Sequence, residues 1–199
     1  MSKTFFETIK AVDGEIFNLL FHQERYESVL KHFGIKDVQD LSLYLNPPKN
    51  GLYRCRVVYE IFKDFYNIDV EYYEYKKKNI NSLKLINSDI SYEFKSTSRA
   101  EIDELYAFRD GCDDILIVKN SLLTDTSIAN IAFFDSTKWI TPAQPLLRGT
   151  TRERLLVEGK IVEAEIFVDD LVNFSKVALM NAMIDFDIIQ KKAKDLCVR

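Results

Sequence analysis

Cysteine, histidine, proline and glycine are all scarce in this 199-residue sequence, with three, two, four and six copies respectively. Cys55, Cys112 and Cys197 are widely spaced and odd in number, which excludes a disulfide framework and a Cys-x-x-Cys metal site and predicts reduced thiols. His22 and His32 form no His-x-x-x-His pair, so no metal site is expected. The glycines stand singly, and neither a GxGxxG nor a GxxxxGK[ST] run exists, which sets aside Rossmann and P-loop nucleotide chemistry. No apolar run approaches the roughly 18 residues of a membrane helix, and the first residues lack an apolar signal region. A cytoplasmic protein with no membrane partner is expected. Basic runs are equally sparse: Lys76-Lys77-Lys78 is the longest, and 27 Lys and Arg against 31 Asp and Glu leave a net charge of -4. No nucleic-acid partner is expected from such a balance.

What is present is a folding composition, 47% hydrophobic, 29% charged and 13% aromatic. The length predicts one molecule in two lobes, a small α+β lobe over 1–76 and a larger β-rich lobe over 80–199, joined by the charged segment at Lys76–Asn79. Asp13-Gly14 between extended apolar stretches predicts an opening hairpin of Phe5–Lys10 and Glu15–Asn18. Helical spacing of Tyr26, Val29, Leu30 and Phe33 predicts a helix from His22 to Phe33, stopped by Gly34. A shorter helix is expected over Asp37–Leu45, then strands at Leu52–Glu60, Ile68–Tyr75, Ile80–Ile86 and Ser91–Lys95. Ser98-x-x-Glu101 and Thr150-x-x-Glu153 read as capping boxes opening helices that end at Gly111 and near Gly159. Between them, strands are expected at Asp114–Val118, Leu122–Thr124 and Asn130–Phe134. A strand over Lys160–Val168, a short helix from Asp169 and a final strand from Val177 to Met183 complete the expectation.

Several residues are able to carry chemistry. Gly149-Thr150-Thr151-Arg152 sets two hydroxyls and unpaired N–H groups at a helix start, an anion site or a simple cap. Lys95 follows the aromatic Tyr92-Glu93-Phe94, where desolvation would make it a nucleophile and solvation an ordinary surface lysine. Asp125 lies among hydroxyls at a strand end, as a functional carboxylate or a turn former.

The order of these pieces narrows the choice: Phe6-Glu7-Thr8-Ile9-Lys10, His22-x-x-Arg25, Lys95-x-x-x-Arg99, Asp125-Thr126-Ser127-x-x-Asn130, Trp139-Ile140-Thr141-Pro142 and Gly149-Thr150-Thr151-Arg152. This series resembles the class IV aminotransferase family of pyridoxal-phosphate enzymes, which holds branched-chain and D-amino-acid aminotransferases and 4-amino-4-deoxychorismate lyase. The likeness extends over nearly the whole chain, to Asn181-Ala182-Met183. It implies a two-lobed α+β fold like that of D-amino-acid aminotransferase, with the cofactor between lobes, a homodimer, and a small-molecule amino substrate. The leading β segment of most members is missing, so the fold is expected to be N-terminally shortened.

Carried over by residue, the resemblance makes Lys95 the Schiff-base lysine and proton carrier. Arg25, Thr150 and Thr151 would hold the phosphate of pyridoxal 5'-phosphate, and Asn130 would support the cofactor loop. Asp125, standing where most members have glutamate, would pair with the pyridine nitrogen. Arg54 and Arg56, on one face of an alternating strand, are candidates for a substrate carboxylate. Ser96-Thr97-Ser98-Arg99 after the lysine is closer to the lyase pattern than to the Gly-Asn-Tyr of branched-chain aminotransferases. The resemblance therefore favours 4-amino-4-deoxychorismate lyase, which makes 4-aminobenzoate for folate biosynthesis, over an aminotransferase or a non-catalytic scaffold.

Overall fold

Strand β1 (Lys3–Val12) buries Phe5, Glu7, Ile9 and Ala11, the period of two of one covered face, and Phe6 on the other face is buried as well. This is a computed structural model describing residues 2–189 and 191–198. Asp13 (φ 49°) and Gly14 (φ 87°) both take left-handed backbone, as a two-residue hairpin turn requires, and return the chain as β2 (Glu15–Ile16). Strands β3 (Leu52–Ile61) and β4 (Tyr66–Glu74) extend this into an antiparallel sheet of order β2-β1-β3-β4. Helix α1 (Leu19–His32) turns His22, Tyr26, Val29 and Leu30 inward and ends before Gly34, whose φ of 81° no β-carbon-bearing residue adopts freely. Phe5, Ile9, Tyr26, Leu30, Val57 and Tyr59 make the core, with Tyr26 set edge-on to Tyr59 at 5.1 Å.

The chain divides into two compact units, Met1–Lys77 with Phe94–Ser98, and Lys78–Glu93 with Arg99–Arg199. Residues 94–98 run beside β1, where the Phe6 N–H donates to the Lys95 carbonyl (2.9 Å) and the Thr97 N–H to the Thr4 carbonyl (3.0 Å). Lys95 therefore belongs to the smaller, first unit and not to the larger lobe in which the 80–199 segment had placed it.

The second unit contains β5 (Leu83–Asn87), α2 (Ala100–Ala107), β6 (Asp114–Lys119), β7 (Leu122–Thr126), β8 (Asn130–Phe134), β9 (Trp139–Pro142) and α3 (Thr150–Val157). It continues through β10 (Val162–Ala164), β11 (Lys176–Asn181), β12 (Asp185–Ile189), α4 (Ala193–Leu196) and β13 (Cys197–Val198). Sheet order is β10-β9-β8-β7-β6-β5-β13, with β11 paired to β8 and to β12. The β5–β6, β13–β5 and β10–β9 pairs are parallel, and the others in this sheet are antiparallel. Leu83, Leu116, Leu123, Ile131, Phe133, Val177, Leu179 and Leu196 fill its core. No helix among the described residues is long and apolar enough to cross a membrane.

Local departures from expectation have local causes. The helix expected over Asp37–Leu45 is a single 3-10 turn, Leu41–Tyr44, because the Asp40 carboxylate accepts the Ser42 N–H (2.8 Å) and offers the backbone a turn instead. Ser91–Lys95 makes no regular strand, and the ladder there is one bridge, Phe5 with Ser96. The strand expected over Lys160–Val168 shortens to β10, and Val168–Asn173 is a 3-10 helix. Neither expected capping box forms: α2 starts after Arg99 and α3 after Gly149, without a side-chain cap bond at either. The strand at Val177 is not final, since β12 and β13 follow.

Candidate active site

The expected site residues fall into two clusters, one on each unit. In the first, alternation along β1 turns Glu7 into the same buried row as Phe5 and Ile9, and α1 brings His22 and Arg25 to it from one helix face, three residues apart. Arg25 grips Glu7 as a fork, with Nε donating to Oε1 (2.9 Å) and Nη2 to Oε2 (2.5 Å). His22 Nδ1 lies 2.6 Å from the same Oε2. Burial works to raise the Glu7 pKa, yet the Arg25 charge and the His22 and Arg25 hydrogen bonds outweigh it and bring the carboxyl down to about 2. Burial holds His22 below its ordinary range, against the pull of Glu7, so the ring is neutral at pH 7. An ionised carboxylate only accepts, which assigns the imidazole proton to Nδ1.

Lys95 shares this unit. Its Nζ lies 4.7 Å from the centroid of the Phe6 ring, and the Arg56 guanidinium carbon lies 4.4 Å from the same centroid. The Lys95 charge is also felt at His22. Strand β3 sends Cys55, Val57 and Tyr59 into the core, so Arg54 and Arg56 stand on the opposite face; Arg54 lies over Tyr73 at 5.0 Å.

In the second unit, the β7–β8 pairing sets Asp125 opposite Asn130. Asp125 is buried; its Oδ1 accepts from Asn130 Nδ2 (2.7 Å) and its Oδ2 from the Leu147 N–H (2.9 Å). Burial is the dominant influence and raises its pKa to about 6, although both of those donors and the Arg152 charge oppose it. Asn130 Nδ2 also donates to the Leu147 carbonyl (2.9 Å), tying β8 to the segment that leads into α3. A β-carbon on Gly149 would lie 2.0 Å from Asn130 Oδ1, so only glycine permits this approach. Thr150 and Thr151 are buried in the first turn of α3, whose leading N–H groups have no acceptor within the helix. Arg152 is wholly buried; Nη1 meets Glu153 (2.7 Å), Nη2 meets Glu163 and the Pro142 carbonyl (2.9 Å), and Nε has no partner. Arg99 Nη2 donates to the Ser127 carbonyl (2.7 Å), bracing the turn beside Asp125.

Thus Arg25, Lys95, Arg54 and Arg56 lie on the first unit, and Asp125, Asn130, Thr150 and Thr151 on the second. Sequence reasoning left Glu7, His22 and Phe6 without roles. The signal for Glu7 was available, because a carboxylate interrupts the apolar alternation Phe5-x-Glu7-x-Ile9-x-Ala11.

Residues 4–190 match the model of the amino-transferase class IV family. The chain belongs to that family. An uncharacterized protein of Haemophilus influenzae is 40% identical over 185 residues, covering 89% of this chain and 96% of the relative. The crystal structure of a candidate 4-amino-4-deoxychorismate lyase of Haemophilus somnus 129pt superposes with a TM-score of 0.78 at 34% identity, covering 91% of this chain and 96% of that one. A hypothetical aminotransferase of Mycobacterium tuberculosis, solved in its PLP-bound form, has a TM-score of 0.75 at 15% identity, covering 95% and 81%, and shares the fold. The class IV protein is accordingly a pyridoxal-phosphate-dependent enzyme of the lyase and aminotransferase kind.

Its residues fit that cofactor. A buried carboxylate met mainly by neutral N–H donors, with its pKa raised to about 6, is suited to a cationic ring nitrogen. An anion suits the first turn of α3, where the buried Arg152 leaves Nε unsatisfied.

Proposed function

We propose that this class IV enzyme is a 4-amino-4-deoxychorismate lyase, releasing pyruvate and 4-aminobenzoate for folate biosynthesis in the cytoplasm, as a homodimer with pyridoxal 5'-phosphate as cofactor. The observation that carries the reading is the 34% identity to the Haemophilus somnus candidate lyase across 91% of this chain and 96% of that one. The Lys95-x-x-x-Arg99 spacing supports it.

When bound, pyridoxal phosphate supplies an aldehyde for amine condensation and a ring that withdraws electrons from the reacting carbon. Asp125, kept ionised by a cationic partner, holds the ring nitrogen in its protonated form, and Asn130 holds Asp125. Arg25, Thr150 and Thr151 bind the phosphate. Lys95 Nζ takes a proton from the substrate ring carbon that bears the nitrogen. The carbon–oxygen bond to the three-carbon side chain then breaks, its electrons leave with oxygen, and a proton returned to the methylene carbon completes pyruvate. Arg54 and Arg56 receive a substrate carboxylate, with Phe6 and Tyr73 steadying their guanidinium planes.

Absorption spectra before and after adding pyridoxal phosphate and then borohydride, with mass spectrometry of the fixed adduct, test the assignment. An adduct on Lys95, absent from Lys95→Ala, together with pyruvate release from 4-amino-4-deoxychorismate, is the expected result. A cofactor that cycles between aldehyde and amine forms on feeding an amino acid and then a keto acid identifies an aminotransferase, and a protein that never takes up the cofactor identifies a scaffold.

A further inference from the structure

We propose that Glu7 is a positioning residue for phosphate recognition: its carboxylate, oriented by His22, clamps the Nε–Nη2 edge of Arg25 so that the guanidinium is held ready for the cofactor phosphate. The inference rests on the reading of Arg25 as a phosphate ligand.

A charge in the inward row of β1 needs a reason. Glu7 and His22 are fully buried, among Phe5, Ile9, Val57 and Tyr59, where an apolar side chain would pack. A buried ion pair is a poor stabiliser compared with such packing, because desolvation offsets most of its attraction. Stability alone does not account for the arrangement. Its geometry does something apolar packing cannot, since it fixes a planar cation. Both carboxylate oxygens are engaged by Arg25, and His22 shares Oε2, which prevents the carboxylate from rotating away. The Arg25 side chain is 15% exposed whereas its two partners are at 0%, so Arg25 is the member of the cluster that reaches its margin.

The fork has a directional consequence. With Nε and one side of Nη2 committed to Glu7, planarity turns the Nη1 edge away from the carboxylate. An arginine side chain carries about 2 kcal/mol of rotamer entropy, which a free arginine would lose on binding an anion and a clamped one has already lost. Glu7 also offsets the Arg25 charge, so its contribution is geometric. Removing it by Glu7→Gln leaves more net positive charge beside the phosphate site. An electrostatic role predicts tighter phosphate binding in that variant, and a positioning role predicts weaker binding.

The decisive measurement compares affinity for pyridoxal phosphate with affinity for pyridoxal, which lacks the phosphate, by titrating the apoprotein and following the bound chromophore. In the wild-type protein the ratio of the two dissociation constants reports the phosphate's contribution. Arg25→Ala should reduce that ratio by about tenfold or more, equivalent to at least 1.4 kcal/mol. Glu7→Gln and the charge-preserving, shorter Glu7→Asp should each reduce it by a comparable factor, and Arg25→Ala/Glu7→Gln should lie no lower than Arg25→Ala alone. If Glu7→Gln does not fold, Glu7→Asp decides. A ratio that is unchanged or raised in the Glu7 variants while Arg25→Ala lowers it overturns the clamp, as does equal weakening of both ligands, the mark of general damage. A ratio unchanged in Arg25→Ala removes Arg25 from the phosphate site, and the clamp with it.

Discussion

Glu7 and Asp125 are both buried carboxylates, one on each unit, and their surroundings drive them in opposite directions. Glu7 faces a guanidinium and an imidazole N–H and is held down to about 2; Asp125 faces an amide, a backbone N–H and a more remote Arg152 and is pushed up to about 6. Burial acts on both alike, so the difference lies in the partner. A carboxylate with its cation inside the same unit is complete and serves as an anchor. One met mainly by neutral donors is poised for a cation that arrives with a ligand. Of the two, the second has the character of a ligand-binding group and the first that of an internal anchor.

The largest expected effect separates them by deletion. Glu7→Ala leaves Arg25 and His22 facing an emptied position and should cost about 3–5 kcal/mol of stability by denaturant unfolding. A loss below about 1 kcal/mol would mean the cluster is solvated and the contrast false.

Next comes pH. Glu7, lowered in the folded state from 4.5 to about 2, contributes stability that is present above pH 4.5 and lost as pH falls towards 2. Asp125, raised from 3.8 to about 6, does the reverse: its favourable state is present below pH 3.8 and lost as pH rises through 6, on the order of 3 kcal/mol. Unfolding of the apoprotein across about pH 3–8, which spans the Asp125 transition, should show this loss in the wild type and not in Asp125→Ala, and saturating pyridoxal phosphate should remove it. A flat profile in the wild type would show that Asp125 is already compensated.

The smallest effect on stability is expected from Asp125→Ala itself at neutral pH. Losing two accepted hydrogen bonds is offset by removing an uncomfortable charge, for a net change within about 1 kcal/mol, while turnover with bound cofactor falls by about 100-fold or more. Equal losses of stability in the Asp125 and Glu7 variants would erase the distinction between anchor and site.

What was legible in the sequence was local. Asp13-Gly14, Gly34 and the apolar spacing in α1 specify their turn and helix within a few residues, and the structure follows them. Asp125 and Asn130 were legible as a motif, but their burial depends on Leu147 and Gly149, which approach from another part of the chain. The return of residues 94–98 to β1 and the parallel pairing of β13 with β5 join segments with no shared local signal, so Lys95 was assigned to the other lobe. The capping boxes had the right residues, but α2 starts after Arg99 and α3 after Gly149, so Ser98 stands one place before the cap and Thr150 one place inside the helix.

The strap that carries Lys95 has a bearing on how this enzyme is made. The hairpin, α1, β3 and β4 are complete in sequence by Glu74, yet the first unit gains its edge at β1 only when residues 94–98 arrive after β5 has already been synthesised. During translation the β1–β2 and β3–β4 hairpins can therefore close early, and the longer-range β1–β3 pairing needs nothing beyond Ile61. Lys95 is in the last part it receives, so a nascent chain holds the Glu7–Arg25 fork before it holds that lysine.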